Sequence, residues 1–158
     1  MTIKVGDKVP EGMMTVMGAE GPAGISTADI FDGKKVVLFA VPGAFTPTCS
    51  MAHLPGFVVH VDAIKAKGVD TVACMSVNDV FVMDAWGKAA NAEHLVMLAD
   101  GNGDFTKALD LVLDASVYGM GARSKRFAMV VDDGVVSLLN IDEAALEATS
   151  AEAILAAL

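Results

Sequence analysis

The sequence predicts an α/β fold with a mixed central sheet and helices on both faces, and three observations predict it. The apolar runs Val36–Val41 and Val69–Val77 read as core strands. Stretches with apolar residues at three- and four-residue steps alternate with them, as helices require. Two further apolar runs, Phe127–Val131 and Val135–Leu139, flank Asp132-Asp133-Gly134, which signals an antiparallel hairpin with a three-residue loop. Strands alternating with helices imply parallel neighbours, and a closing hairpin makes the sheet mixed.

Taken in order, the segment up to about residue 32 is glycine-rich with little periodicity, and reads as short strands and turns. Val36–Val41 is the first core strand, and Pro42-Gly43 breaks it. From Cys49 to Lys67, Met51, Leu54, Phe57, Val58, Val61 and Ile64 recur at helical spacing, with a kink or break expected at Pro55-Gly56. Gly68 ends that helix. Val69–Val77 is the second strand, and Asn78-Asp79 caps a helix to about Ala90. Leu95–Ala99 is a short strand, Asp100–Gly103 a turn and Phe105–Leu111 a short helix. After the hairpin, Ser150 caps a last helix to Leu158. The first strand–helix–strand unit is expected to be right-handed. Neither an internal repeat nor a linker interrupts residues 1–158, so a single domain is expected.

Composition narrows the function. A formal net charge of −9 argues against nucleic acid and against an anionic membrane surface as partners. No run approaches the ~18 apolar residues of a membrane span. The N-terminal residues show no apolar core of a signal peptide, so a reducing, cytoplasmic setting is the expectation. In that setting two cysteines are catalytic, redox-active or buried rather than a permanent staple, and without clustered histidines they make a poor zinc site. No metal or cofactor is expected.

Cys49 is the residue on which chemistry converges. It follows a core strand, a Pro-Gly break and a Thr-Pro helix start, so its thiol falls in the first turn of a helix. Exposed backbone N–H groups and the helix dipole favour an anion there, and a thiolate is the nucleophilic form of cysteine. In open α/β sheets the carboxyl ends of central strands are where sites form. The plainer reading, a small buried hydrophobe, competes for any cysteine in this setting. No His and Asp/Asn partners are arranged for a cysteine hydrolase, and a second thiol at C-x-x-C spacing is missing, which argues against thiol–disulfide exchange of the thioredoxin type.

The loop Val41-Pro42-Gly43-Ala44-Phe45-Thr46-Pro47-Thr48-Cys49-Ser50 resembles the active-site loop of peroxiredoxins, P-x-x-x-T/S-x-x-C, with Pro42, Thr46 and Cys49 in register. The fuller string is similar to the type II branch, the peroxiredoxin-5 subfamily of plants and bacteria. His53-Leu54-Pro55-Gly56-Phe57, Ser76-Val77-Asn78-Asp79, Phe81-Val82, Ala85-Trp86 and Arg123-Ser124-Lys125-Arg126-Phe127 extend the likeness from about residue 3 to the C-terminus. The resemblance implies a thioredoxin-like fold over residues 1–158 and a thiol-dependent peroxidase that reduces hydrogen peroxide and alkyl hydroperoxides. Cys49 would attack the terminal peroxide oxygen and become a sulfenic acid. Full ionisation of a thiol with pKa ~8.5 gains only about 30-fold at neutral pH, about 2 kcal/mol. The remainder must come from hydrogen-bond donors fixed on the peroxide oxygens. By the resemblance these are Thr46, the Cys49 N–H and Arg126, while Pro42 shields the thiolate. His53, on the same helix face as Cys49, lines the pocket or packs structurally. Phe45 and Trp86 belong either to the pocket and core or to a dimer contact, and Arg123 reads as a surface residue.

Cys74 lies in the second predicted strand, and the resemblance offers it as a resolving thiol. A mid-strand position makes a disulfide with Cys49 hard to reach, which favours glutathione with glutaredoxin, or thioredoxin, as an external reductant. The resemblance further implies a homodimer joined at the active-site end, and a cycle that needs neither metal nor haem nor flavin. The same motif also fits a redox sensor or relay switched by Cys49 oxidation.

Overall fold

A computed structural model describes residues 1–143 and 145–158. The first elements form a hairpin, β1 (Met13–Gly18) and β2 (Gly21–Ser26), followed by α1 (Thr27–Phe31), whose first turn is capped by the Ser26 side chain. The core strand β3 (Lys35–Ala40) leads through the Cys49 loop into α2 (Leu54–Ala66) and then β4 (Thr71–Ser76). Next come α3 (Val80–Ala89), β5 (Val96–Ala99) and α4 (Asp104–Leu109). A small hairpin, β6 (Val112–Asp114) and β7 (Ala122–Ser124), precedes β8 (Arg126–Asp132), β9 (Val135–Asp142) and α5 (Ala151–Ala157).

Seven strands make one sheet in the order β2-β1-β5-β4-β3-β8-β9. β3, β4 and β5 are parallel, and β1 and β8 flank them antiparallel. This is the expected mixed sheet. The alternation of side chains along β3 sends Val37 and Phe39 to one face and Val36, Leu38 and Ala40 to the other. On the first face they meet Leu54, Phe57, Val61 and Ile64 of α2, Met83 and Trp86 of α3 and Ile154 of α5. On the second they meet Ile30 and Phe31 of α1 and Phe105 and Leu109 of α4. Both faces are therefore closed, and β3 and β4 are buried from Val36 to Ala40 and from Val72 to Ser76.

Two local expectations are corrected, and one element is unforeseen. The helix expected to break at Pro55-Gly56 is continuous there. Its irregularity lies one turn earlier, as a π-helical turn over Cys49–His53 that ends with the Leu54 N–H on the Cys49 carbonyl. Pro55 follows this turn directly, where the regular ladder that its missing N–H would break is already replaced by the π-helical pattern. The final hairpin has a two-residue loop. Asp132 pairs with Val135, and Asp133 and Gly134 both take positive φ, 47° and 81°, which is the type I′ geometry. The β6–β7 hairpin was not expected, because each of its strands is only three residues long and carries no periodicity.

Candidate active site

The loop that carries Cys49 leaves the carboxyl end of β3 and is shaped from within. Thr46 opens the helical turn, with Ser50 N–H on its carbonyl at 2.9 Å, and Pro47 follows at the first helical position. Cys49 is thus in the first turn, where backbone N–H groups have no intrahelical acceptor. Gly43 is closely packed: a Cβ there would lie 3.0 Å from Thr46 Cγ2, 3.1 Å from Met120 Cε and 3.3 Å from Arg123 Nη1, so those side chains would have to give way. Phe45 takes a positive φ of 63°, a conformation costly for an aromatic residue. Asn78 helps to hold it, accepting the Ala44 N–H at 3.0 Å and the Ser76 hydroxyl at 2.6 Å through one oxygen.

Cys49 is 1% exposed, and its sulfur receives a hydrogen bond from Arg126 Nη2 at 3.1 Å. Arg126 is the first residue of β8, and β8 lies beside β3. The sheet therefore brings together two residues far apart in the chain. The second arm of the guanidinium, Nη1, is 2.7 Å from His53 Nδ1. A guanidinium can only donate, so Nδ1 must carry the lone pair and the proton sits on Nε2. That proton goes to the Thr149 carbonyl at 2.9 Å. Burial, reinforced by the Arg126 charge, lowers the His53 pKa to about 4, so the ring stays neutral at physiological pH. Phe39 and Phe57 stack on each other at 3.9 Å, and Phe39 also packs against the His53 ring at 4.9 Å.

Thr46 is half-buried, and its hydroxyl donates to the Gly43 carbonyl at 2.6 Å. Its single proton is committed, so in this geometry it is not the donor that the resemblance implies, and what it presents to a ligand is lone pairs. Pro42 is half-buried on the same loop. Trp86 is buried, and its Nε1–H donates to Ser50 Oγ at 3.0 Å, tying α3 to the cysteine turn. Phe45 is 55% exposed, with its ring tilted against Trp86 at 6.4 Å. Arg123 is half-buried against Gly43, with Nε on the Met120 carbonyl at 2.9 Å, so it is no ordinary surface residue. Both cysteines are free thiols. Cys74 lies mid-strand in β4 with no exposed surface. Burial, with Cys49 as a lesser cause, pushes its thiol well above the usual range.

The sequence reading missed Asn78, Ser50, Thr149 and Asp142 as parts of this neighbourhood. The motif Ser76-Val77-Asn78-Asp79 was visible, but no local signal links Thr149 to His53, 96 residues away.

This site stands in a recognisable lineage. A family model described as Redoxin matches residues 4–155. The chain is 47% identical to Peroxiredoxin-2E-2, chloroplastic, of Oryza sativa subsp. japonica, over 99% of this chain and 73% of the relative. The chain belongs to the type II peroxiredoxins. Peroxiredoxin-2D of Arabidopsis thaliana is 46% identical, covering 99% of this chain and 98% of its own. Reduced Prx3 of Vibrio vulnificus, solved in complex with hydrogen peroxide, superposes with a TM-score of 0.96 at 53% identity, covering 99% of each chain. The fold of this peroxiredoxin is accordingly thioredoxin-like, and its activity is that of a thiol-dependent peroxidase, an oxidoreductase with a hydroperoxide substrate and a thiol reductant. Among the described residues, no helix is long and apolar enough to cross a membrane.

Proposed function

We propose that Cys49 is the peroxidatic nucleophile, working with Arg126, Thr46 and Pro42, within one domain spanning residues 1–158. The observation that carries the proposal is the Arg126 Nη2–Cys49 Sγ hydrogen bond of 3.1 Å. The thiolate sulfur attacks the terminal oxygen of ROOH. An S–O bond forms as the O–O bond breaks, RO⁻ departs and takes up a proton, and the sulfur, oxidised by two electrons, becomes a sulfenic acid. Arg126 balances charge first on the sulfur and then on the oxygens as it moves outward. Thr46 accepts a hydrogen bond from the peroxide through its free lone pairs, and the Cys49 N–H donates from the helix start. Pro42 covers the sulfur from water. Hydrogen peroxide as a substrate is supported by its presence in the Vibrio vulnificus complex; alkyl hydroperoxides follow from the same O–O chemistry.

Turnover then needs a reductant. Glutathione with glutaredoxin, or thioredoxin, fills that role. One thiol condenses with the sulfenic acid to a mixed disulfide and water, and a second thiol releases Cys49. The unexposed, strongly protonated Cys74 thiol supports an external reductant over internal resolution. Exposed Phe45, Phe81, Val117 and Tyr118 support a homodimer through the active-site end, to be read by analytical ultracentrifugation of the parent and Phe81→Asp. Two free thiols fit a reducing, cytoplasmic setting, which localisation of the tagged protein would check.

The deciding experiment is stopped-flow oxidation of the reduced protein by hydrogen peroxide with Trp86 fluorescence. Parent, Cys49→Ser and Cys74→Ser are compared. Fast oxidation lost only in Cys49→Ser is the expected result. Equal rates for parent and Cys49→Ser would refute the assignment.

A further inference from the structure

The hydrogen-bond chain that begins at Cys49 does not stop at His53. The Thr149 carbonyl that receives the His53 Nε2–H belongs to a wholly buried residue, and the turn carrying it is wrapped around one side chain. The Asp142 carboxylate accepts the N–H groups of Glu147 at 2.9 Å, Ala148 at 3.1 Å and Thr149 at 2.9 Å, and the Thr149 hydroxyl at 2.7 Å. Burial acts to raise its pKa, but these hydrogen bonds outweigh it and hold the carboxyl below its usual range. Asn140 adds a further tie, from Nδ2 to the Ala148 carbonyl at 2.8 Å.

The register explains why this turn meets the site. Asp142 is the direct partner of Arg126 in the β8–β9 ladder, and residues directly opposite in an antiparallel pair project to the same face. The guanidinium and the carboxylate leave one rung of the sheet. Thr149 and His53 bridge the gap between them, so the circuit Asp142–Thr149–His53–Arg126 closes on the rung itself. The position of the Thr149 carbonyl also decides the His53 tautomer. With Nε2 committed as donor, Nδ1 is the acceptor that Arg126 requires. Without that carbonyl the ring is free to place its proton on Nδ1, where it would oppose the Arg126 N–H.

We propose that Asp142 is a positioning residue for the peroxidase reaction: it folds the C-terminal turn so that the Thr149 carbonyl fixes His53, and His53 holds Arg126 at the Cys49 sulfur. The inference rests on the roles given above to Cys49 and Arg126.

The test uses the full chain and four variants: Asp142→Ala, Asp142→Asn, Cys49→Ser and Asp100→Ala. Asp100 ties a comparable knot, accepting the N–H groups of Phe105 and Thr106 and the Thr106 hydroxyl, but has no hydrogen bond to Cys49, His53 or Arg126. It controls for stability. Three readouts are taken: the oxidation rate with hydrogen peroxide, the melting temperature, and the ring-nitrogen NMR signature of His53. Asp142→Ala is expected to slow oxidation by roughly tenfold to a hundredfold, up to the scale of a 1 Å misplacement at a reacting centre, and to mix Nδ1–H into the His53 signals. Asp142→Asn, which keeps one acceptor oxygen, falls between. Asp100→Ala loses melting temperature but keeps the parent rate and tautomer. The proposal is overturned if Asp142→Ala keeps the parent rate and tautomer, or if Asp100→Ala slows oxidation equally. If Cys49→Ser oxidises as fast as the parent, the reading of Cys49 fails and takes this inference with it; a fast parent that Cys49→Ser alone impairs sinks only the inference.

Discussion

Cys49 and Cys74 are buried to the same degree, 1% and 0% exposed, in the same apolar cluster. Their surroundings have little else in common. Cys74 sits in the middle of β4, paired with Phe39 on one side and Met97 on the other, and its thiol is pushed toward the neutral form, chiefly by burial. Cys49 sits just past the end of β3 in a π-helical turn, with a guanidinium fork donating to its sulfur. Burial therefore does not distinguish the two thiols. The guanidinium and the helix-start backbone donors beside the Cys49 sulfur do, and the reactivity proposed for Cys49 rests on them.

The largest effect that would sharpen this contrast is at the sulfurs themselves. Cys49→Ser is expected to abolish peroxide turnover, whereas Cys74→Ala keeps the parent oxidation rate in stopped flow. Loss of the rate in both would erase the distinction. The guanidinium comes next. Arg126→Lys keeps the charge but cannot address Cys49 and His53 together, and a loss of roughly 10²–10³ in oxidation rate is expected. A parent-like rate would mean that charge alone suffices. Thr46→Val removes the hydroxyl at similar volume and is expected to cost roughly tenfold to a hundredfold, with Thr46→Ser restoring most of it. A further effect falls on stability and leaves the neutral-pH rate untouched. His53 has a folded pKa of about 4, below the ordinary 6.5. Between those values the unfolded chain binds a proton that the folded one refuses. Stability is thus fully present above pH 6.5, and falls by on the order of 3 kcal/mol as pH drops toward 4. Urea unfolding at pH 7 and pH 4.5, with His53→Gln as the flattened comparison, measures this.

What the sequence made legible, and what it hid, follows the range of the interactions. The strands β3, β4, β8 and β9 announced themselves by apolar runs, and the Ser150 cap by its residue type, because these signals are local. Cys49, Thr46 and Pro42 were legible as a loop motif. The location of the helical irregularity was not. Pro55 and Gly56 look like breakers, but the helical run passes through them, and the irregular π-helical turn over Cys49–His53 lies directly before Pro55. The shortened hairpin loop was hidden because Asp132 looks like a turn residue while it pairs with Val135. His53 could be placed near Cys49 by helical spacing, yet its partner Thr149 and the Asp142 turn behind it depend on the β8–β9 register and on tertiary packing.

The central claim is that groups fixed around Cys49, rather than the thiol alone, make the peroxidase. The most direct test is the second-order rate constant of the reduced protein with hydrogen peroxide, set against that of a free thiolate after correction for ionisation, in the parent and in Arg126→Gln. The account predicts a parent faster than the free thiolate by several orders of magnitude, and an Arg126→Gln variant that loses most of that excess. A parent no faster than the corrected free thiolate, or an Arg126→Gln variant equal to the parent, would contradict it.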